Sequence, residues 1–166
     1  MTTSGTATVT LPTDEQILIT REFDAPKHLV YEAFTTPVLV TRWWNAKRGE
    51  VTVAEIDLRV GGAWRYVMVS DGFEVGFHGE YREIVPNERI VSTEVYEGLP
   101  DGVSEEEGAT LNTATFSETD GRTRLTILVQ AANKVSRDAI IDSGMEAGMQ
   151  DAMDLLEEVA LSLGHS

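Results

Sequence analysis

Hydrophobic and polar positions alternate from residue 15 to residue 23 (EQILITREF). Ile17, Ile19, Arg21 and Phe23 share one face, and Gln16, Leu18, Thr20 and Glu22 the other, a period of two that predicts a strand. Two helix starts of one design follow, with Pro26 after Asp24-Ala25 and Pro37 after Thr35-Thr36. Proline at a first helical position wastes no hydrogen bond, because that N–H has no partner inside the helix. Short helices are therefore expected over 26–34 and 37–43, ending at Trp43-Trp44. Six more strands are predicted at 50–58, 63–70, 73–85, 89–96, 109–118 and 122–131. Asp71-Gly72 and Asp120-Gly121 mark tight hairpins. The polar, acidic stretch 98–108 (GLPDGVSEEEG) reads as a loop. One helix is expected over 136–163, capped by Ser136 and Gly164. Its stripe is Ile141, Met145, Met149, Ala152, Leu156, Val159 and Leu163, on a rod roughly 40 Å long. Residues 1–14 carry no pattern and read as a flexible tail, leaving 15–166 as a single domain. Seven antiparallel strands and one covering helix define an α+β fold.

A curved sheet closed by one helix leaves an interior that side chains must fill. On the sheet side the alternation offers Trp64, Tyr66 and Met68, then Phe73, Phe77 and Tyr81. On the helix side Gly144 and Gly148 stand one turn apart beside Met145 and Met149. An interior helical glycine costs about 1 kcal/mol relative to alanine, so two of them ask for a reason. They serve either close approach of helix to sheet or room for a ligand, and the adaptable methionines suit both.

Composition narrows the classes. The 166 residues are 42% hydrophobic and 25% charged, ordinary for one globular domain. Without cysteine, disulfide scaffolds, thiol nucleophiles and thiolate metal sites are excluded. Thirteen basic against 28 acidic residues give a net charge of −15, which repels phosphate backbones and anionic lipid surfaces. No nucleic-acid or membrane partner is expected. The amino terminus lacks the basic and apolar regions of a signal peptide, and no apolar run reaches the roughly 20 residues of a membrane span. The expected location is the cytoplasm.

Five segments carry a family resemblance: REFDAPKHLVYEAFTTPVLVTRWW, EIDLRVGGAWRYVM, GEYREIVPNERIVSTE, GRTRLTI and SGMEAGMQDAMDLLEEVA. In this order they resemble the activator-of-heat-shock-protein-90-ATPase homologue family over residues 15–163. The resemblance implies membership of the START/SRPBCC superfamily and the helix-grip fold of the major birch pollen allergen. That superfamily binds lipids, sterols, polyketides and other apolar molecules, and some members are cyclases or ring hydroxylases. The eukaryotic co-chaperone that names the family has an additional amino-terminal domain. With 14 residues before the first strand here, that domain is expected to be absent.

Candidate chemistry is sparse. His28, His78 and His165 are not spaced as metal ligands. Phosphate-loop and nucleophile-elbow motifs are missing, so Gly61-Gly62 reads as a turn. Among the acidic residues, Glu80 falls opposite Phe77, Gly79 and Tyr81. Glu94 is undecided: Ile90 and Ser92 share its face, and Val91, Thr93 and Val95 share the other. A carboxylate facing an apolar interior would have its pKa raised and could act as an acid or base. Of Trp43 and Trp44, at least one is expected to anchor the core. The resulting expectation is a binding protein for a small apolar molecule, monomer or homodimer, without metal, cofactor or assigned catalytic residue. Its lining is Trp44, Trp64, Tyr66, Met68, Phe77, Tyr81, Gly144, Met145, Gly148 and Met149. The rival readings are a cyclase, dehydratase or isomerase using acid–base residues, and a chaperone- or protein-interaction module.

Overall fold

In a computed structural model, which describes residues 6–98, 104 and 108–164, the alternating segments become strands of one curved antiparallel sheet. The elements run β1 (Thr8–Thr10), β2 (Gln16–Phe23), α1 (Lys27–Thr35), α2 (Pro37–Val40), β3 (Glu50–Ile56), β4 (Ala63–Ser70), β5 (Phe73–Val85), β6 (Arg89–Tyr96), β7 (Thr110–Thr119), β8 (Arg122–Gln130), α3 (Lys134–Asp142) and α4 (Met145–Leu163). The strand order is β1-β2-β8-β7-β6-β5-β4-β3. Register slips at Val51/Val53 and at Tyr81/Glu83 are bulges of the kind that bend a strand and increase its twist. Most of the loop expected at 98–108, together with residues 1–5 and His165, lies outside the described residues.

Three expectations are corrected. The sheet has eight strands, not seven, and the additional one lies within residues 1–14, which were expected to form a tail. Thr8, Val9 and Thr10 pair with Thr20, Ile19 and Leu18. The Gln150 side chain also clasps Ala7, accepting from its N–H at 2.9 Å and donating to its carbonyl at 2.7 Å. Such a strand is fixed by its partners and has no pattern of its own. Secondly, the carboxy-terminal helix is broken in two. Gly144 has φ +81°, the left-handed conformation that ends helices and that glycine adopts without penalty. The Ser143 hydroxyl donates to the Ile140 carbonyl at 2.6 Å, satisfying one of the acceptors the break leaves over. Thirdly, the cap of α3 is Asn133, whose side chain accepts from the Ser136 N–H at 2.8 Å. Ser136 is the donor of that bond and not the cap.

The core lies between the inner face of the sheet and the helices. Ile17, Ile19, Phe23, Phe116 and Leu125 meet Val30, Ala33, Met153, Leu156, Val159 and Ala160, all buried. Within this apolar layer sits Arg21, 1% exposed. Its guanidinium reaches Glu157 and Asp154, each at 3.1 Å, and lies 5.0 Å from the centre of the Phe23 ring. Glu157, also 1% exposed, accepts a further bond from the Asp24 N–H at 2.9 Å. The second half of α4 is thus clamped to β2 by a desolvated ion pair as well as by apolar contact.

Candidate functional site

Pairing of β4 with β5 sets Trp64 opposite Gly79, Tyr66 opposite Phe77 and Met68 opposite Val75. At Gly79 a Cβ would lie 1.8 Å from the Thr93 carbonyl and 2.6 Å from Trp64 Nε1. Glycine here lets the Trp64 indole cross the strand and donate to that carbonyl at 3.1 Å. The turn after α2 brings Trp44 onto the same aromatic group. Its ring centre lies 5.5 Å from Tyr66 and 5.8 Å from Phe77, and Trp64 lies 4.9 Å from Tyr66. Edge-on and tilted rings at these separations attract through their quadrupoles. Trp43 points the other way, stacked on Phe34 at 5.6 Å with its indole N–H on the Ala33 carbonyl at 2.9 Å. It is the core anchor of the pair.

Of the expected lining, Trp44, Trp64, Tyr66 and Phe77 therefore form one cluster. Tyr81 is buried further along β5, and Met145 and Met149 on the first turns of α4 are half-buried against the core. Met68, on the same face of β4 as Trp64 and Tyr66, has its side chain 3.1 Å from where a Gly49 Cβ would be. Gly144 is not a helical position at all but the exposed break before α4. A Cβ at Gly148 would meet nothing within 4 Å, so this glycine does not serve close approach of helix to sheet.

Glu94, undecided from sequence, has its environment set by β7. It pairs with Thr110, and Ser92 with Asn112. Asn112 Nδ2 donates to Glu94 Oε1 at 3.3 Å. Burial lifts the Glu94 carboxyl above the usual range, and the Asn112 bond opposes the shift. Burial also pushes the Tyr66 phenol well up, with Tyr81 and Glu94 adding to it. Thr110 and Asn112 are functional candidates that sequence reasoning missed. The signal was their position on the same β7 face as Ala114 and Phe116.

The opposite face is charged. Glu97 binds Arg65 through two bonds of 2.9 Å and His78 Nδ1 at 2.9 Å. The Arg65 hydrogen bond leads in holding the Glu97 carboxyl down at about 2. Glu80 is exposed and paired with Arg82 at 3.3 Å. A cleft of about 440 Å³ runs along β3–β5, walled by Glu55, Asp57, Arg65 and His78 with Trp64 at its edge. It shares only Trp64 with the expected lining. Among the described residues no group of three His, Asp or Glu side chains is placed to hold a metal ion, and no helix is long and apolar enough to cross a membrane.

A curved antiparallel sheet gripping a carboxy-terminal helix, with an aromatic group at one end of the interior, defines the helix-grip class. Residues 24–160 match the model of the Activator of Hsp90 ATPase homolog 1-like protein family, and the chain belongs to that family. Solved structures agree on the fold. A Rhodobacter sphaeroides protein is 25% identical, with a TM-score of 0.84 over 95% of this chain and 99% of its own. A Chromobacterium violaceum protein is 27% identical, with a TM-score of 0.76 over 89% and 98%. The AHSA1-like protein from Aeromonas hydrophila is 18% identical, with a TM-score of 0.64 over 90% and 95%. A search of curated proteins finds no match.

Proposed function

We propose that the protein binds a small apolar molecule on the inner face of the sheet, beneath the first turns of α4, and that it does so in the cytoplasm without a metal or a tightly held cofactor. One observation carries this reading. Tyr66, Phe77, Ile127, Met145 and Met149 pack against the buried core yet remain half-buried themselves. Accessible apolar surface on the inner face, edged by a few polar groups, is what a small-molecule site requires. The open position at Gly148 supports it, because packing gives that glycine no purpose.

The test uses N-phenyl-1-naphthylamine, a neutral apolar probe whose fluorescence rises on leaving water. Saturable one-to-one binding is expected, with energy transfer from the tryptophans. Trp44→Ala and Met149→Trp should each weaken it about tenfold, the first by removing a wall and the second by filling the space. Absence of saturable binding, or indifference to both variants, would defeat the reading.

Glu94 favours a second reading, an acid–base enzyme of cyclase, dehydratase or isomerase type, since its carboxyl sits inside with a raised pKa. Native mass spectrometry separates the two. A ligand that leaves the purified protein unchanged supports binding, and one converted to a product of different mass, or of equal mass but different retention, supports catalysis.

A further inference from the structure

The inner face is not apolar throughout. Thr110 is 8% exposed, and among the described residues its hydroxyl has no hydrogen-bond partner. Asn112, two residues along the same strand, donates its amide N–H to Glu94 Oε1 at 3.3 Å. Its Oδ1 is buried, with no partner among the described residues. Glu94 and Thr110 face each other across the ladder, so the three side chains make one polar group. A buried polar atom left unpaired is costly, and native interiors rarely hold two so close together. The Asn112–Glu94 bond also fixes which end of the amide is free. The unused Asn112 atom is an acceptor, and Glu94 Oε1 is the carboxylate oxygen that this bond engages.

We propose that Glu94, Asn112 and Thr110 form the polar subsite for a ligand's hydrogen-bond-donating group, a hydroxyl or an amine, while the body of the ligand lies against Trp44, Tyr66 and Phe77. The proposal rests on the apolar-binding reading above and makes it more specific. A pure hydrocarbon would leave the Thr110 and Asn112 acceptors unpaired. A carboxylate or phosphate would set its negative charge against Glu94. A donor head satisfies the unpaired oxygens and leaves the apolar contacts intact. The gain from one well-made bond is about tenfold in affinity, with more for a charged donor.

Three probes of matched shape test this: 1-methylnaphthalene, 1-naphthol and 1-naphthylmethylamine, titrated by quenching of tryptophan fluorescence. The two donors should bind about tenfold more tightly than the hydrocarbon, and their ranking tells an alcohol site from an ammonium site. The variants are Thr110→Val and the double substitution Glu94→Met with Asn112→Leu, which replace polar groups by apolar ones of similar size so that the fold is kept. Both should retain methylnaphthalene affinity, and the double variant should lose the donor preference. If methylnaphthalene binds as tightly as the donors, or the preference survives the double substitution, the subsite is wrong while the apolar-binding reading stands. If none of the three binds the wild-type protein, both fall together. A circular dichroism spectrum of each variant confirms that lost preference is not lost structure.

Discussion

Removing one partner of the Arg21–Glu157 pair should be far more damaging than removing both. In Glu157→Leu the Arg21 guanidinium stays in the core, 1% exposed. Only Asp154 is left to face it, at 3.1 Å and with its own side chain 35% exposed. The Asp24 N–H loses its acceptor as well. An uncompensated buried charge costs about 3–5 kcal/mol, whereas replacing a whole buried pair by apolar residues is often neutral. Because Asp154 partly compensates, the lower end applies, about 3 kcal/mol. For a chain of this length each kcal/mol moves the thermal midpoint by roughly 2–4 °C, so the midpoint should fall by about 6–12 °C. Arg21→Met combined with Glu157→Leu should return to within about 1 kcal/mol of wild type. Thermal unfolding followed by circular dichroism, with urea titration as a second measure, decides the matter. A single variant within 1 kcal/mol of wild type, or a double variant less stable than the single, would refute the clamp.

The two helix glycines should respond in opposite directions. Gly148→Ala places its methyl in open space and should raise stability by up to about 1 kcal/mol through helix propensity. Gly144→Ala must hold a side chain at φ +81° and should lower it by about 1–2 kcal/mol; equal urea midpoints for the two would contradict the placement of the helix break. For Glu97, the folded carboxyl titrates at about 2 against an ordinary 4.5. Its contribution is therefore complete above the unfolded value and is lost as the pH falls from about 4.5 towards 2. Glu97→Gln should flatten the stability profile over that window and nowhere else. The change is small because the pair is largely exposed, and urea midpoints between pH 2 and 7 would reveal it.

The strands were legible where alternation met a turn of fixed chemistry. Around Asp71-Gly72 and Asp120-Gly121 the residues adopt positive φ in succession, as hairpin turns require, and β4, β5 and β8 fall within a residue of their expected bounds. The break at Gly144 was hidden because the apolar stripe continues in phase on both sides of it. A helical period says which residues face inward but not whether the backbone between them is continuous. The strand at Thr8–Thr10 has three residues and no contrast; its order comes from β2 and from Gln150, both distant in sequence. For the candidate site, the aromatic residues were readable because their size and alternation coincide. Thr110 and Asn112 were harder to read, since neither is apolar nor charged; their one signal is that alternation sets them on the face of Ala114 and Phe116. Glu94 stayed undecided for the same reason, because both faces of β6 mix apolar and polar residues. Only its partners across the ladder settle the question.

The break and the clamp together divide the work of the last helix. From residue 153 to 160 the inward positions Met153, Leu156, Glu157, Val159 and Ala160 are buried, and one of them is the charged Glu157 locked to Arg21. Before that point Met145, Met149 and Ala152 are only half-buried, and the chain reaches them through a turn whose direction Gly144 sets. Stability therefore resides in the second half and accessible apolar surface in the first. A change of volume at Met145 or Met149 is felt where packing is incomplete, so it should alter the local surface more than the folding free energy. The same change at Leu156 or Val159 meets a filled core and acts on folding first. Under the proposed binding reading, this separation would let one scaffold keep its fold while the first turns of α4, together with Trp44 and the Glu94 group, set what the interior accepts.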